Sequence, residues 1–174
     1  MRFPDLQHPS IALYYLFYAL MLGVAGWKLY RRHKGDTGGE PELYAVFVYL
    51  FTFVLAGVLY SANPPVFSGV DLTALLTDLV LAIGLFAIAV NANRIWPLIA
   101  AAAQFVGLFS HFSRAMQISI EPMAYSLLRT LPVGVVLLCV LIGFLGHFQR
   151  YRKYGYDYDW IDWTQIRGLG SSRG

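Results

Sequence analysis

The chain has 174 residues, of which 57% are hydrophobic and 13% charged, with a formal net charge of +3 and a mean hydropathy of +0.54. Soluble domains carry about 25% charged residues, and a chain this size has too little interior to hide such an apolar excess, so a soluble globular domain and a disordered chain are both excluded. The single Cys139 excludes a disulfide scaffold, which leaves an all-α polytopic membrane protein.

A helix that crosses a bilayer needs about 20 mostly apolar residues, because hydrocarbon offers its backbone no hydrogen-bond partners. Five runs meet this requirement, at about 11–30, 43–61, 72–90, 95–116 and 122–147. The first is opened by Pro9-Ser10 and charged only at Lys28, the second is closed by Asn63-Pro64-Pro65, and the third carries Asp78. Pro97 falls in the first turn of the fourth, where a missing N–H costs little. Pro132 lies inside the fifth, where its ring is expected to disturb the helix and free the carbonyl of Leu128. Met1 to Ser10 contains Asp5 as well as Arg2, and the apolar run behind it is too long for a signal-peptide core. The first helix is therefore expected to remain.

Basic residues set the orientation. With the N-terminus outside, ten of the thirteen basic residues fall on the cytoplasmic side, and only Arg2, Arg114 and Arg129 lie towards the outer side. The expectation is a bundle of five transmembrane helices, N-terminus out and C-terminus in. Residues 1–150 then form one membrane domain and 151–174 a cytoplasmic tail. Basic residues at helix ends fix topology and meet anionic lipid, so they are no sign of nucleic-acid binding.

The largest inner loop, Arg31 to Glu42, contains Gly35-Asp36-Thr37-Gly38-Gly39-Glu40-Pro41. It reads as a flexible turn, without the lysine or spacing of a phosphate-binding loop. Ala19 with Gly23, and Ala103 with Gly107, are small residues four apart that let membrane helices pack closely.

Charged groups inside a span are costly and usually face a partner or a wet cavity. Asp78 and Arg129 each lie about 10 Å, and His111 about 8 Å, below the outer ends of their helices. Gln104, Gly107, His111 and Arg114 share one stripe of the fourth helix. Asp78, Gln104, His111, Arg114 and Arg129 thus form a candidate intramembrane polar cluster. One reading is an ion pair of Asp78 with Arg129, with His111 hydrogen-bonded nearby. The other is an outward-opening polar cavity that binds a small anion, headgroup or substrate.

In the tail, Tyr154-Gly155-Tyr156-Asp157-Tyr158-Asp159-Trp160-Ile161-Asp162-Trp163 alternates aromatic and acidic residues. An extended chain would place Tyr156, Tyr158 and Trp160 on one face and Asp157 and Asp159 on the other. The acidic groups disfavour a simple interfacial belt on an anionic leaflet. Tyr156, Tyr158, Trp160 and Trp163 are therefore read as anchors for a partner protein.

His33 and His147 sit at the cytoplasmic boundary, roughly 20 Å or more from His111 across a ~30 Å core, so they cannot share a haem with it. No catalytic, cofactor-binding or metal-ligand set stands out, and bound lipid is the one small-molecule companion expected.

The stretch Asn93-Arg94-Ile95-Trp96-Pro97-Leu98, then Gln104, Ser110-His111 and Ile120-Glu121-Pro122-Met123-Ala124-Tyr125, resembles small uncharacterised inner-membrane proteins of alphaproteobacteria. The resemblance covers about a fifth of the chain. It implies a bacterial inner-membrane location and carries no activity. The leading expectation is a non-catalytic inner-membrane subunit or scaffold, surrounded by lipid and other membrane subunits and docking a partner through its tail. The alternative is a small transporter or membrane-embedded enzyme. There Arg114 or Arg129 would hold an anionic group and His111 would exchange a proton.

Overall fold

The computed structural model describes residues 9–33, 38–62, 71–116 and 122–163. Side chains within 9–18, 113–115 and 122–130 are outside that description. Five helices follow one another: α1 Pro9–His33, α2 Glu40–Ala62, α3 Leu72–Asn91, α4 Trp96–Ala115 and α5 Pro122–Tyr154. Three of these regions are long and apolar enough to cross a membrane: Glu40–Ala62, Leu72–Asn91 and Leu131–Tyr154. Trp96–Phe112 is a shorter apolar helix. The chain divides into two compact units, Met1–Thr37 and Gly38–Gly174. Among the described residues the first holds the single helix α1, whose last turn carries Arg31, Arg32 and His33, with the arginine charges placed where a helix C-terminus favours them.

The second unit is a four-helix arrangement in which α2 packs on α3, α3 on α4 and α4 on α5, while α5 also touches α2. Successive helices run up and down. Glu42 at the start of α2 meets Trp96 at the start of α4, whereas Tyr60 near the end of α2 meets Asp71 at the start of α3. Helical spacing decides which residues turn inward. On α2 these are Glu42, Ala45, Val46, Tyr49 and Thr52, and on α3 Leu81, Ala82, Leu85, Ile88 and Ala89. Many interior positions are alanines, among them Ala45, Ala82 and Ala100, with no exposed surface. Small residues bring the helix axes close, as membrane packing requires.

Glycine marks the tightest approaches. A Cβ added at Gly84 would lie 2.5 Å from Val48 Cγ1, and one at Gly107 would lie 3.3 Å from Pro132 Cβ. The Ala103–Gly107 pair thus lies where α4 receives the proline of α5. Helix α5 continues through Pro132, as membrane helices often do when neighbours re-satisfy the freed backbone. Outward-facing residues are large and apolar: Phe51, Val54, Ile83, Phe109 and Leu145 are each more than half exposed. A surface of this kind fits hydrocarbon as its solvent.

Two helix ends follow from single residues. Asp71 caps α3, accepting a hydrogen bond from the Ala74 amide at 3.1 Å while its other oxygen accepts one from the Tyr60 hydroxyl at 2.7 Å. Gly155 ends α5 in the left-handed region, φ 76°, and its amide donates back to the Tyr151 carbonyl at 2.9 Å. Helix α5 therefore extends seven residues past the apolar run that ends at His147. The reason is physical: beyond hydrocarbon a helix no longer needs apolar side chains, and Gln149 to Tyr154 supply good helix formers until the glycine.

Candidate functional site

Polar groups gather at two levels of the Gly38–Gly174 unit. The larger gathering lies at the tail side. After Gly155 the chain turns back and forms a single antiparallel bridge with the α3–α4 connection. Asn93 donates its amide to the Asp159 carbonyl at 2.9 Å, and Ile161 donates to the Asn91 carbonyl at 2.8 Å. This bridge aims the aspartates inward, as the alternation of the tail predicts. Asp157 and Asp159 side chains are 3% and 8% exposed, whereas Tyr156 and Tyr158 are 56% and 71% exposed.

Arg94 is the hub of this cluster. Its Nη2 donates to Asp157 Oδ2 at 2.6 Å and to Asp159 Oδ1 at 2.8 Å, and its Nη1 donates to the Tyr158 carbonyl at 2.7 Å. Its Nε lies 3.5 Å from Glu42 Oε1, a charge contact without hydrogen-bond geometry. Glu42 is held separately by the Trp96 indole N–H at 3.0 Å. That pair can form only because residue 143 is glycine: a Cβ there would sit 2.6 Å from Trp96 Nε1 and 3.0 Å from Glu42 Cγ.

Asp157 gathers three nitrogen-bearing side chains. Besides Arg94, Arg150 Nε donates to its Oδ1 at 2.8 Å and His147 Nδ1 lies 2.8 Å from its Oδ2. Burial favours the neutral acid. The hydrogen bonds from Arg150 and His147, with the positive charges of Arg94 and Arg150, outweigh this and hold the carboxyl below its ordinary range. Asp159 accepts backbone hydrogen bonds from Gly39 and Glu40, at 2.9 and 3.1 Å, which ties the tail to the start of α2. Gly38, at φ 97°, passes beside His147 and Asp157 where a Cβ would meet both within 3.3 Å. Trp160 closes the edge, its indole donating to Glu40 at 2.8 Å and its ring lying 5.7 Å from that of Tyr44.

His147, Asp157 and Asp159 place one potential ligand atom each within 4.8 Å of one another. The aspartates already hold guanidinium nitrogens at 2.6 to 2.8 Å. The positive charge a metal ion would bring is thus already supplied by Arg94 and Arg150.

The smaller gathering lies within the apolar part of the bundle. His111 Nε2 is 2.9 Å from Asp78 Oδ2, and Gln104 Nε2 donates to Asp78 Oδ1 at 3.4 Å. His111 and Gln104 are almost wholly buried, while the Asp78 side chain keeps 27% of its surface. The buried Gln104 Oε1 has no hydrogen-bond partner among the described residues. Three members of the sequence-derived set, Asp78, Gln104 and His111, therefore meet. Described geometry gives Asp78 an imidazole partner, and the side chains of Arg114 and Arg129 lie outside the described residues.

Of the four aromatic tail residues, Tyr156 and Tyr158 face outward with ring centroids 5.2 Å apart. Trp160 leaves their face to serve the bridge. Trp163 is 42% exposed and donates its indole N–H to Asn91 Oδ1 at 3.3 Å. The residues that the sequence does not single out are Glu42, Arg94, His147, Arg150, Asp157 and Asp159 as one cluster. A signal for it exists: a glutamate at an apolar helix start, an arginine in a two-helix turn and two aspartates after the last helix fall at the same end of the alternating helices. Their pairing is long-range and has no spacing rule. Comparison of the chain with protein-family models, curated proteins and solved structures gives no match.

Proposed function

We propose that this chain is a non-catalytic subunit or scaffold of a larger membrane complex, held in the membrane by five helices. Its N-terminus would be outside and its tail in the cytoplasm. In this reading the membrane is a bacterial inner membrane, in keeping with the alphaproteobacterial resemblance of Asn93–Tyr125. One observation carries the proposal: at the tail side the described carboxylates are taken up by Arg94, Arg150, Trp96, Trp160 and backbone amides, while Tyr156 and Tyr158 are presented outward on a bridged, ordered backbone. Long-range ion pairs and hydrogen bonds hold the tail backbone in place, and rigid exposed aromatics anchor protein partners. Replacing both tyrosines by serine and purifying the chain in mild detergent from its native membranes tests this. Loss of a stoichiometric co-purifying subunit is expected, with the chain itself still folded. An unchanged set of companions overturns it.

A second reading, a small transporter or membrane-embedded enzyme, is favoured by the partly exposed Asp78 beside buried His111 and Gln104. It predicts that Asp78→Asn assembles normally yet changes substrate uptake or turnover. The scaffold reading predicts that the same variant alters only stability.

A further inference from the structure

A groove of about 880 Å³ runs along the tail side between the α3–α4 turn, the second half of α5 and the start of the tail. One end is walled by aliphatic side chains on the outer surface of the bundle: Leu98 and Ile142 are each 54% exposed and Ile95 is 76% exposed. The other end is lined by Arg94, Arg150 and Asp157. Arg94 is engaged with three acidic side chains. Arg150 differs. Among the described residues only its Nε is bonded, to Asp157; its Nη2 is buried without a hydrogen-bond partner there, and its Nη1 lies over Gly146, 3.0 Å from where a Cβ would stand.

The side chain as a whole remains 37% exposed, so it can be reached from the groove. Its Nη1 has no hydrogen bond among the described residues and is not one of the buried atoms, so a phosphate in the groove can accept a charge-assisted hydrogen bond from it. A soluble anion would use only that end and leave the aliphatic wall bare. An amphiphile uses both.

We propose that this groove binds an anionic glycerophospholipid of the leaflet on the tail side, its phosphate on Arg150 and an acyl chain along Leu98 and Ile142. The inference rests on the membrane setting of the bundle and not on the scaffold role, so either can fail without the other. The test is retention of phosphatidylglycerol against phosphatidylcholine of matched acyl chains by the detergent-purified full chain, read by native mass spectrometry.

The wild-type chain should retain phosphatidylglycerol preferentially. Arg150→Gln should reduce that preference about fivefold, the equivalent of the ~1 kcal/mol that one basic residue gains at an anionic surface. Ile142→Trp leaves the ionic cluster untouched and fills the groove, and should lower retention of both lipids. Equal retention of the two lipids by the wild type would overturn the site. So would phosphatidylglycerol binding that survives Ile142→Trp, or its displacement by millimolar inorganic phosphate. Should Arg150→Gln fail to fold, the Ile142→Trp measurement decides alone.

Discussion

At the tail side of the bundle three carboxylates meet two guanidiniums and an imidazole; deeper in the apolar part, one carboxylate meets one imidazole and one amide. The first cluster draws on four separate segments, near residues 39–42, 91–94, 147–150 and 157–160. The second draws only on α3 and α4. Solvent explains the contrast. At a membrane boundary several full charges can coexist if each is paired and also bonded to backbone. In an apolar interior the least costly polar set is a small one whose members hydrogen-bond one another, as Asp78, His111 and Gln104 do. The boundary cluster therefore holds segments together, while the deeper one aligns two neighbouring helices.

The largest effect should come from removing the hub. Arg94→Ala leaves Asp157, Asp159 and Glu42 buried without their shared cation, and breaking a buried pair costs about 3–5 kcal/mol. Thermal unfolding in detergent should show that loss, and a cost below that of Asp78→Asn would reverse the ranking of the clusters. Gly143→Ala should follow, at about 1–3 kcal/mol, because the added methyl drives Trp96 away from Glu42. Repacking without loss of the Trp96–Glu42 bond would show that the close approach is dispensable.

Asp78→Asn keeps an acceptor for His111 and should cost only about 0.6–1.7 kcal/mol, the range of hydrogen bonds between membrane helices. A double-mutant cycle with His111→Gln should return a coupling of the same size.

Acid separates the clusters by a different route. The Asp157 carboxyl titrates below its ordinary 3.8 in the folded chain. Its stabilising contribution is complete above that value and is lost as pH falls through the lower, folded one. Hydrogen exchange at the Asn93 and Ile161 amides, taken relative to the intrinsic rate at each pH, should therefore stay slow at neutral pH and speed up only below about pH 4. Acceleration already near pH 6 would assign the control to another group. The smallest effect is expected at Tyr158→Ala, within about 0.5 kcal/mol, since that side chain is 71% exposed.

Helix positions were readable because hydrophobic run length maps directly onto helix length. Each observed helix matches an apolar run within a few residues, except at the end of α5, where Gly155 and not the loss of apolarity sets the stop. Depth counted at a fixed rise per residue put Asp78 and His111 at similar levels, while Gln104 entered only through the shared stripe of the fourth helix, and the expected pairing of Asp78 with Arg129 involves a side chain outside the described residues. Arg94 was readable only as a topology marker. Its carboxylates lie 52, 63 and 65 positions away, and no local periodicity links an arginine to acids at such separations. Tail alternation correctly turned Asp157 and Asp159 away from Tyr156 and Tyr158. It misplaced Trp160 because a single bridge to Ala92, followed by a bond to Glu40, overrides the simple two-residue repeat.

The bridge between Ala92 and Trp160 makes the tail strand a test of how the helices of the Gly38–Gly174 unit were laid down before it. Its closure needs the start of α2, the α3–α4 turn and the last turns of α5 side by side on one face. A chain with any of these hairpins inserted the wrong way round would leave two aspartates and an acidic, aromatic strand loose. Such a strand is open to added protease, so cleavage between Gly155 and Trp163 in the detergent-purified chain reports a fold that has not closed.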